Sequence, residues 1–124
     1  MNPKSRTGEV TLRVAPAVLA TSRMMELMEL AATRLMKPQL RDAESSVSIV
    51  MTVTYVAPAP VGGMLRAVAT YAGIAGRLHR FRINVFDASG LIGSAEHARA
   101  VVSDRKLLAV AQRRAGKAGE LLGV

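Results

Sequence analysis

The chain of 124 residues has no cysteine and no tryptophan, and its only other aromatic residues are two tyrosines and two phenylalanines. Without cysteine there are no disulfides, no thiolate metal ligands and no thiol nucleophile. With aromatics at 3% of the sequence, a platform for stacking nucleobases is hard to assemble. His79 and His97 are the only imidazoles, and no ligand-like spacing joins them, so no metal site is expected. No apolar run approaches the ~20 residues of a membrane span. The opening MNPKSRTGEV lacks the apolar core of a secretion signal, and a cytoplasmic protein is expected.

Hydrophobic residues make up 50% of the chain, so the core must be built from Val, Leu, Ile, Ala and Met. The length suits one domain, residues 1–124, with a real core. The net charge of +8 favours a polyanion, whether nucleic acid, an acidic membrane surface or the phosphates of coenzyme A. The 17 basic residues are spread from Lys4 to Lys117, which equally suits an arginine-rich surface that keeps the protein soluble. Nucleic acid is disfavoured by the few aromatics and the lack of a docking motif, and no membrane partner is expected.

Glu9 to Val14 alternates like a first strand, interrupted by Ala15-Pro16. A helix follows from about Thr21 and is closed by Lys37-Pro38, with a polar connection over Gln39 to Ser46. VSIVMTVTYV, Val47 to Val56, reads as a strand buried on one face. Pro58, Pro60, Gly62 and Gly63 force a loop. Three strands come next, Met64 to Ala72, Arg77 to Asp87 and Leu91 to Val102, separated by turns at Gly73 to Gly76 and Ala88 to Gly90. In the middle one Phe81, Ile83 and Val85 point one way and Arg80, Arg82 and Asn84 the other. Residues 103–124 form a basic helix or tail. The order predicts an α+β domain, an antiparallel β-sheet wrapped around one long central α-helix, the hot-dog layout. A single sheet around one helix needs a partner to complete it, so a homodimer is expected, or two dimers paired into a tetramer.

The helix carries the most informative residue. On its wheel Arg23, Glu26, Leu30, Thr33, Arg34 and Lys37 share one side, and Met24, Leu27, Met28, Ala31 and Leu35 lie opposite. Glu29 falls at the border beside Met25, Ala32 and Met36. Glu26 has Arg23 three residues back, whereas Glu29 has no cation at three or four positions in either direction. A carboxylate kept partly out of water and without an ion pair is suited to chemistry; the plainer reading is a boundary residue reaching for solvent.

VLATSRMMELMELAATRLM, then VTYVAPAPVGG, then IGSAEHARAVV resembles, in order and spacing, the hot-dog thioesterases of the fluoroacetyl-CoA thioesterase-like family over roughly residues 18–102. The resemblance implies hydrolysis of an acyl-CoA thioester to free acid and CoA, with no cofactor beyond the CoA of the substrate. It also implies that Thr21 and Glu29 are the catalytic threonine and carboxylate. Glu29 would activate water or attack the carbonyl, and Thr21 would relay a proton or orient the attacking group. The alternative for Thr21 is an ordinary N-cap, a role Ser22 could also fill. Backbone N–H groups where the helix begins would polarise the thioester carbonyl.

One position departs from the family pattern. Tyr55 stands where the family has a catalytic histidine, and a phenol donates a hydrogen bond but is a poor base at neutral pH. Tyr55 therefore orients the carbonyl or Glu29, or lines the pocket. Ser48 occupies a position where the family commonly has glycine; with Gly62 and Arg99 it is expected to contact substrate. His97 and Arg99, two apart on a strand, should face one side, Arg99 toward ligand and His97 as a polar residue on a wet sheet face. The short Ala15-Pro16-Ala17 link leaves no room for a lid over the acyl group. Tyr55 also keeps open a hot-dog protein that binds acyl-CoA or a related small ligand without hydrolysing it.

Overall fold

The computed structural model describes residues 6–13, 20–60 and 62–121. Strand β1 (Thr7–Arg13) precedes helix α1 (Ala20–Met36), and a single 3-10 turn, Lys37–Gln39, leads to β2 (Glu44–Tyr55). Strands β3 (Met64–Ala75), β4 (Leu78–Asp87) and β5 (Gly90–Ser103) follow, then helix α2 (Asp104–Leu121). The strands form one antiparallel sheet in the order β1-β3-β4-β5-β2. β1 and β2 therefore occupy opposite edges, and α1, which joins them in the chain, crosses one face of the sheet. The expected sheet wrapped around one helix is present.

The α1 sequence is rich in Met, Leu, Ala and Glu, strong helix formers, and ends one residue before Lys37-Pro38, as steric conflict with the proline ring requires. Met24, Leu27, Met28, Ala31, Ala32, Leu35 and Met36 are buried. They meet Ala67, Ala69, Tyr71, Phe81, Ile83, Val85 and Ala95 of the sheet. Each fully buried methionine, leucine or phenylalanine contributes about 1.5–3 kcal/mol of transfer free energy. Small residues on the sheet let the helix lie close. A Cβ on Gly8 would sit 2.8 Å from the carbonyl oxygen of Ala31, and one on Gly93 2.5 Å from the sulfur of Met24.

The turn expected over Gly73 to Gly76 is shorter than its glycines suggest. β3 continues to Ala75, and Gly73, with φ of 103°, lies at a bulge where the register against β4 shifts. β2 begins earlier than expected, at Glu44, so Ser45 and Ser46 belong to the sheet and not to a solvated connection. β2 is bulged too: Ser48 pairs with Arg99 and Val50 with Ala98, leaving Ile49 as the extra residue. Before the bulge Ser46 and Ser48 face the helix side, and after it Met51 and Val53 do, packing on the core. Phe81, Ile83 and Val85 are buried while Arg80, Arg82 and Asn84 are exposed, as their alternation predicts.

α2 is a regular helix begun by Ser103, whose hydroxyl accepts the backbone N–H of Lys106. It is solvated along nearly its whole length and is held at its base by Asp104, which accepts from the Ser45 hydroxyl and donates its N–H to the carbonyl of Ala43. No helix is long and apolar enough to cross a membrane among the described residues. Val14 and the Ala15-Pro16-Ala17 link lie outside the described residues.

The glycines divide by surroundings. Gly8→Ala forces β1 away from α1 and should lower unfolding stability by about 1–3 kcal/mol. Gly116→Ala, in open space on exposed α2, should cost nothing or add up to about 1 kcal/mol. Urea unfolding of the two variants checks the contrast, and equal stabilities would contradict the close approach of β1 and α1.

Candidate active site

The border position of Glu29 on the wheel becomes a half-buried place on α1, with Ala32 and Met36 fully buried on its inner side. Glu26, by contrast, accepts an exposed 3.0 Å bond from Arg23. Glu29 opens onto a depression of about 460 Å³ that it lines with Glu26, Leu30 and Thr33 of α1, Val47 and Ser48 of β2, and Arg99 of β5. Three of the expected site residues, Glu29, Ser48 and Arg99, thus come together from three elements. The cation that α1 does not offer Glu29 arrives from the sheet: no ion pair joins them among the described residues, but the carboxylate acts electrostatically on Arg99.

Arg99 is 5% exposed, and its guanidinium is fixed on several sides. Nε donates to the Ser46 hydroxyl at 3.0 Å, one Nη to the Ser46 carbonyl at 2.8 Å, and the other to Nε2 of His97 at 3.1 Å. Burial lowers its pKa by disfavouring the charged form, and the Glu29 carboxylate opposes that. An isolated buried cation is costly, so Ser46 and Glu29 explain why a guanidinium is tolerated here.

His97 is 3% exposed, which corrects its expected place on a wet sheet face. It shares the helix side with Arg99, as their spacing requires, and its Nδ1 lies 2.8 Å from the carbonyl of Val50. Its pKa is lowered, first by burial and also by the Arg99 charge, against the raising effects of the Val50 bond and Glu29. A second buried imidazole, His79, pairs across the ladder with Arg99 and shares a 2.9 Å hydrogen bond with the Tyr71 hydroxyl. Burial lowers the pKa of His79 and raises that of Tyr71.

The remaining expected residues stand apart from this depression within the protomer. Thr21 is exposed in the first turn of α1, inside the helix and not at its cap, about 12 Å of helix rise from Glu29. Tyr55 ends β2 opposite Gly93, the glycine that Met24 covers, so it shares the amino end of α1 with Thr21. Along the strand it lies about 20 Å from Ser48. Gly62 is in the β2–β3 loop with φ of 85°, where its carbonyl accepts from Arg13 at 3.1 Å. Ser46 and Thr33 were missed by sequence reasoning. For Ser46 the signal was present in the apolar and hydroxyl residues that follow it, which extend the strand pattern backward.

The sequence pattern of the fluoroacetyl-CoA-specific thioesterase family matches residues 4–105. The chain belongs to that family. The fluoroacetyl-CoA thioesterase of Streptantibioticus cattleyicolor is 37% identical over 87 residues, which cover 70% of this chain and 63% of that protein. The chain thus matches less than two-thirds of the curated relative's length. A fluoroacetyl-CoA thioesterase variant solved with acetyl-CoA superposes with a TM-score of 0.82 at 26% identity, over 92% of this chain and 98% of the other. A Thermus thermophilus hypothetical protein of the thioesterase superfamily gives 0.84 at 22% identity, over 93% and 94%, and shares the fold. Helix α2 lies almost wholly beyond the part of the chain that matches the fluoroacetyl-CoA-specific thioesterase family.

Both imidazoles resist protonation in the folded chain, whereas in the unfolded chain they take up a proton near the usual 6.5. Stability should therefore be steady above about pH 6.5 and fall as pH drops below it. Urea unfolding at pH 7.5 and pH 5 checks this: the acid loss should shrink when both His79→Gln and His97→Gln are present, and an unchanged loss would contradict it.

Proposed function

We propose that this chain hydrolyses an acyl-CoA thioester at a site completed by a second copy of itself. The observation that carries the reading is the gathering of Glu29, Ser48 and Arg99 in one depression beside the exposed edge of β2. Glu29 takes a proton from water as the water oxygen bonds to the thioester carbon, and collapse of the tetrahedral intermediate breaks the carbon–sulfur bond, the proton passing to the CoA thiolate. Or Glu29 attacks that carbon itself, CoA leaves, and water then cleaves the acyl–Glu29 anhydride to the free acid, its second proton passing to the CoA thiolate. Arg99 offers its remaining N–H donors to the acyl end of the substrate. The family match and the acetyl-CoA complex of a structural relative support this substrate class. The expectation of a cytoplasmic protein belongs to the same proposal.

The second copy answers two problems at once. β2 is an edge strand on which Ile49, Val50 and Tyr55 are about half exposed, as is Val56 just after it, so apolar side chains lie along an edge open to pairing. Antiparallel pairing of two β2 strands about an axis beside Met51 and Thr52 covers that edge and sets Tyr55 of the partner subunit opposite Ser48. Thr21 of the partner subunit comes with it, so each site takes Glu29 from one protomer and the amino end of α1 from the other.

Tyr55 favours a second reading, a protein that binds acyl-CoA without turnover, because a phenol replaces the imidazole base of the family pattern. Release of free CoA thiol from short, medium and aromatic acyl-CoA thioesters separates the two. Glu29→Gln should reduce turnover at least ~100-fold with KM little changed; turnover at the parental rate would remove Glu29 from the mechanism. Mixing Glu29→Gln with Thr21→Ala protein under subunit exchange should restore about a quarter of wild-type activity, since each mixed dimer holds one intact site. No recovery in mixed dimers would place Thr21 and Glu29 in the same protomer's site.

A further inference from the structure

The hydrogen bonds of His97 leave one arrangement of its protons. The Val50 carbonyl only accepts, so Nδ1 must carry hydrogen; arginine only donates, so Nε2 must be bare to receive Nη1 of Arg99. Protonating Nε2 would set N–H against N–H beside a cation. We propose that His97 is a positioning residue for Arg99: its neutral ring, anchored on the carbonyl that follows the β2 bulge, holds the guanidinium toward the depression and lets go when doubly protonated.

The surroundings of the ring fit this role. From its own strand His97 faces Arg99, from α1 the Glu29 carboxylate, from β2 the Val50 carbonyl and from β4 the ring of Phe81, 6.1 Å away between centroids. Its pKa lies below 6.5, chiefly through burial, so the neutral ring is the resting form at neutral pH. Ser46 fixes the other side of the guanidinium through two bonds, so the strands flanking the bulge and the imidazole together set its plane. Loss of the imidazole acceptor frees one arm of Arg99.

The inference rests on the reading of Arg99 as a substrate contact, and the test separates the two. In nitrogen-15 spectra of the His97 ring at pH 7.5, Nδ1 should appear protonated and Nε2 bare; the opposite tautomer, or two protons, overturns the inference whatever the protein binds. The second measurement is the Kd for the thioether analogue of acetyl-CoA, which cannot be hydrolysed. His97→Asn keeps a donor for Val50 but loses the acceptor for Arg99, and should weaken binding on the order of tenfold. His97→Gln places an amide oxygen where Nε2 lies, and should bind within about threefold of wild type. Wild-type binding should weaken in acid once His97 takes up its second proton, and the His97→Gln protein should lack most of that loss.

Equal binding by the Asn and Gln variants, or an acid loss as large in His97→Gln as in wild type, overturns the role of His97. Arg99→Gln should weaken binding by at least as much as His97→Asn, and adding His97→Asn to it should change nothing further. An unaltered Kd in Arg99→Gln overturns the substrate-contact reading and with it any effect of His97 on binding, while the ring-nitrogen spectra still decide whether His97 holds Arg99. Urea unfolding of each variant identifies any that fail to fold.

Discussion

Everything in this structure depends on how closely one helix approaches one sheet. α1 must travel from the β1 edge to the β2 edge, and it does so across a face paved with Ala67, Ala69, Gly8 and Gly93. The missing side chains on the sheet are matched by methionines and leucines on the helix, whose flexible stems fill irregular space without aromatic bulk. A chain with 3% aromatics obtains a dense core this way. The same contact fixes the rotation of α1, and so decides that Glu29 emerges at the rim of the packed face and Glu26 on the solvent side.

Much of this was legible beforehand because periodicity is a local property. The Met and Leu spacing of α1, the alternation in β4 and the proline stop at Lys37-Pro38 follow from repeat lengths and steric rules that hold regardless of the rest of the fold. Glu29 could be singled out for the same reason. Its neighbours Ser48 and Arg99 were legible only through the family resemblance and not through periodicity: Arg99 is 70 positions away in the chain, and only strand order brings it to the helix. His97 was read as wetted because an imidazole on a strand carries no mark of which face it occupies until the bulges and register are known. Gly73 shows the reverse case, where glycine chemistry announced a turn and the chain used it for a bulge within a longer strand.

Charge in the molecule is sorted into two kinds. On the outer surface the pairs Arg66–Glu9 and Arg82–Glu96 are exposed and contribute little, and the cations of α2 stand in solvent. Inside, Arg99, His97 and Ser46 form a hydrogen-bonded set on which the half-buried Glu29 acts through its charge, and no buried side-chain donor or acceptor among the described residues lacks a partner. Such a set has few acceptable alternatives, because removing one member strands another in a medium where water cannot replace it. Specificity of geometry is what a buried network of this kind supplies.

The bulge at Ile49 has a meaning for how this chain can change over generations. Because it reverses the facing of β2, Ser46, which holds the guanidinium, Ser48, which lines the depression, and the apolar residues that seal the core lie on the same side only while the number of residues between them is kept. Within one protomer, apolar substitutions at Ile49 itself disturb no core contact, since the side chain is half exposed. Loss of a single codon there is another matter: it would turn one half of the strand inside out, putting either Ser46 and Ser48 or Met51 and Val53 on the wrong face. The segment is thus permissive in spelling and strict in length.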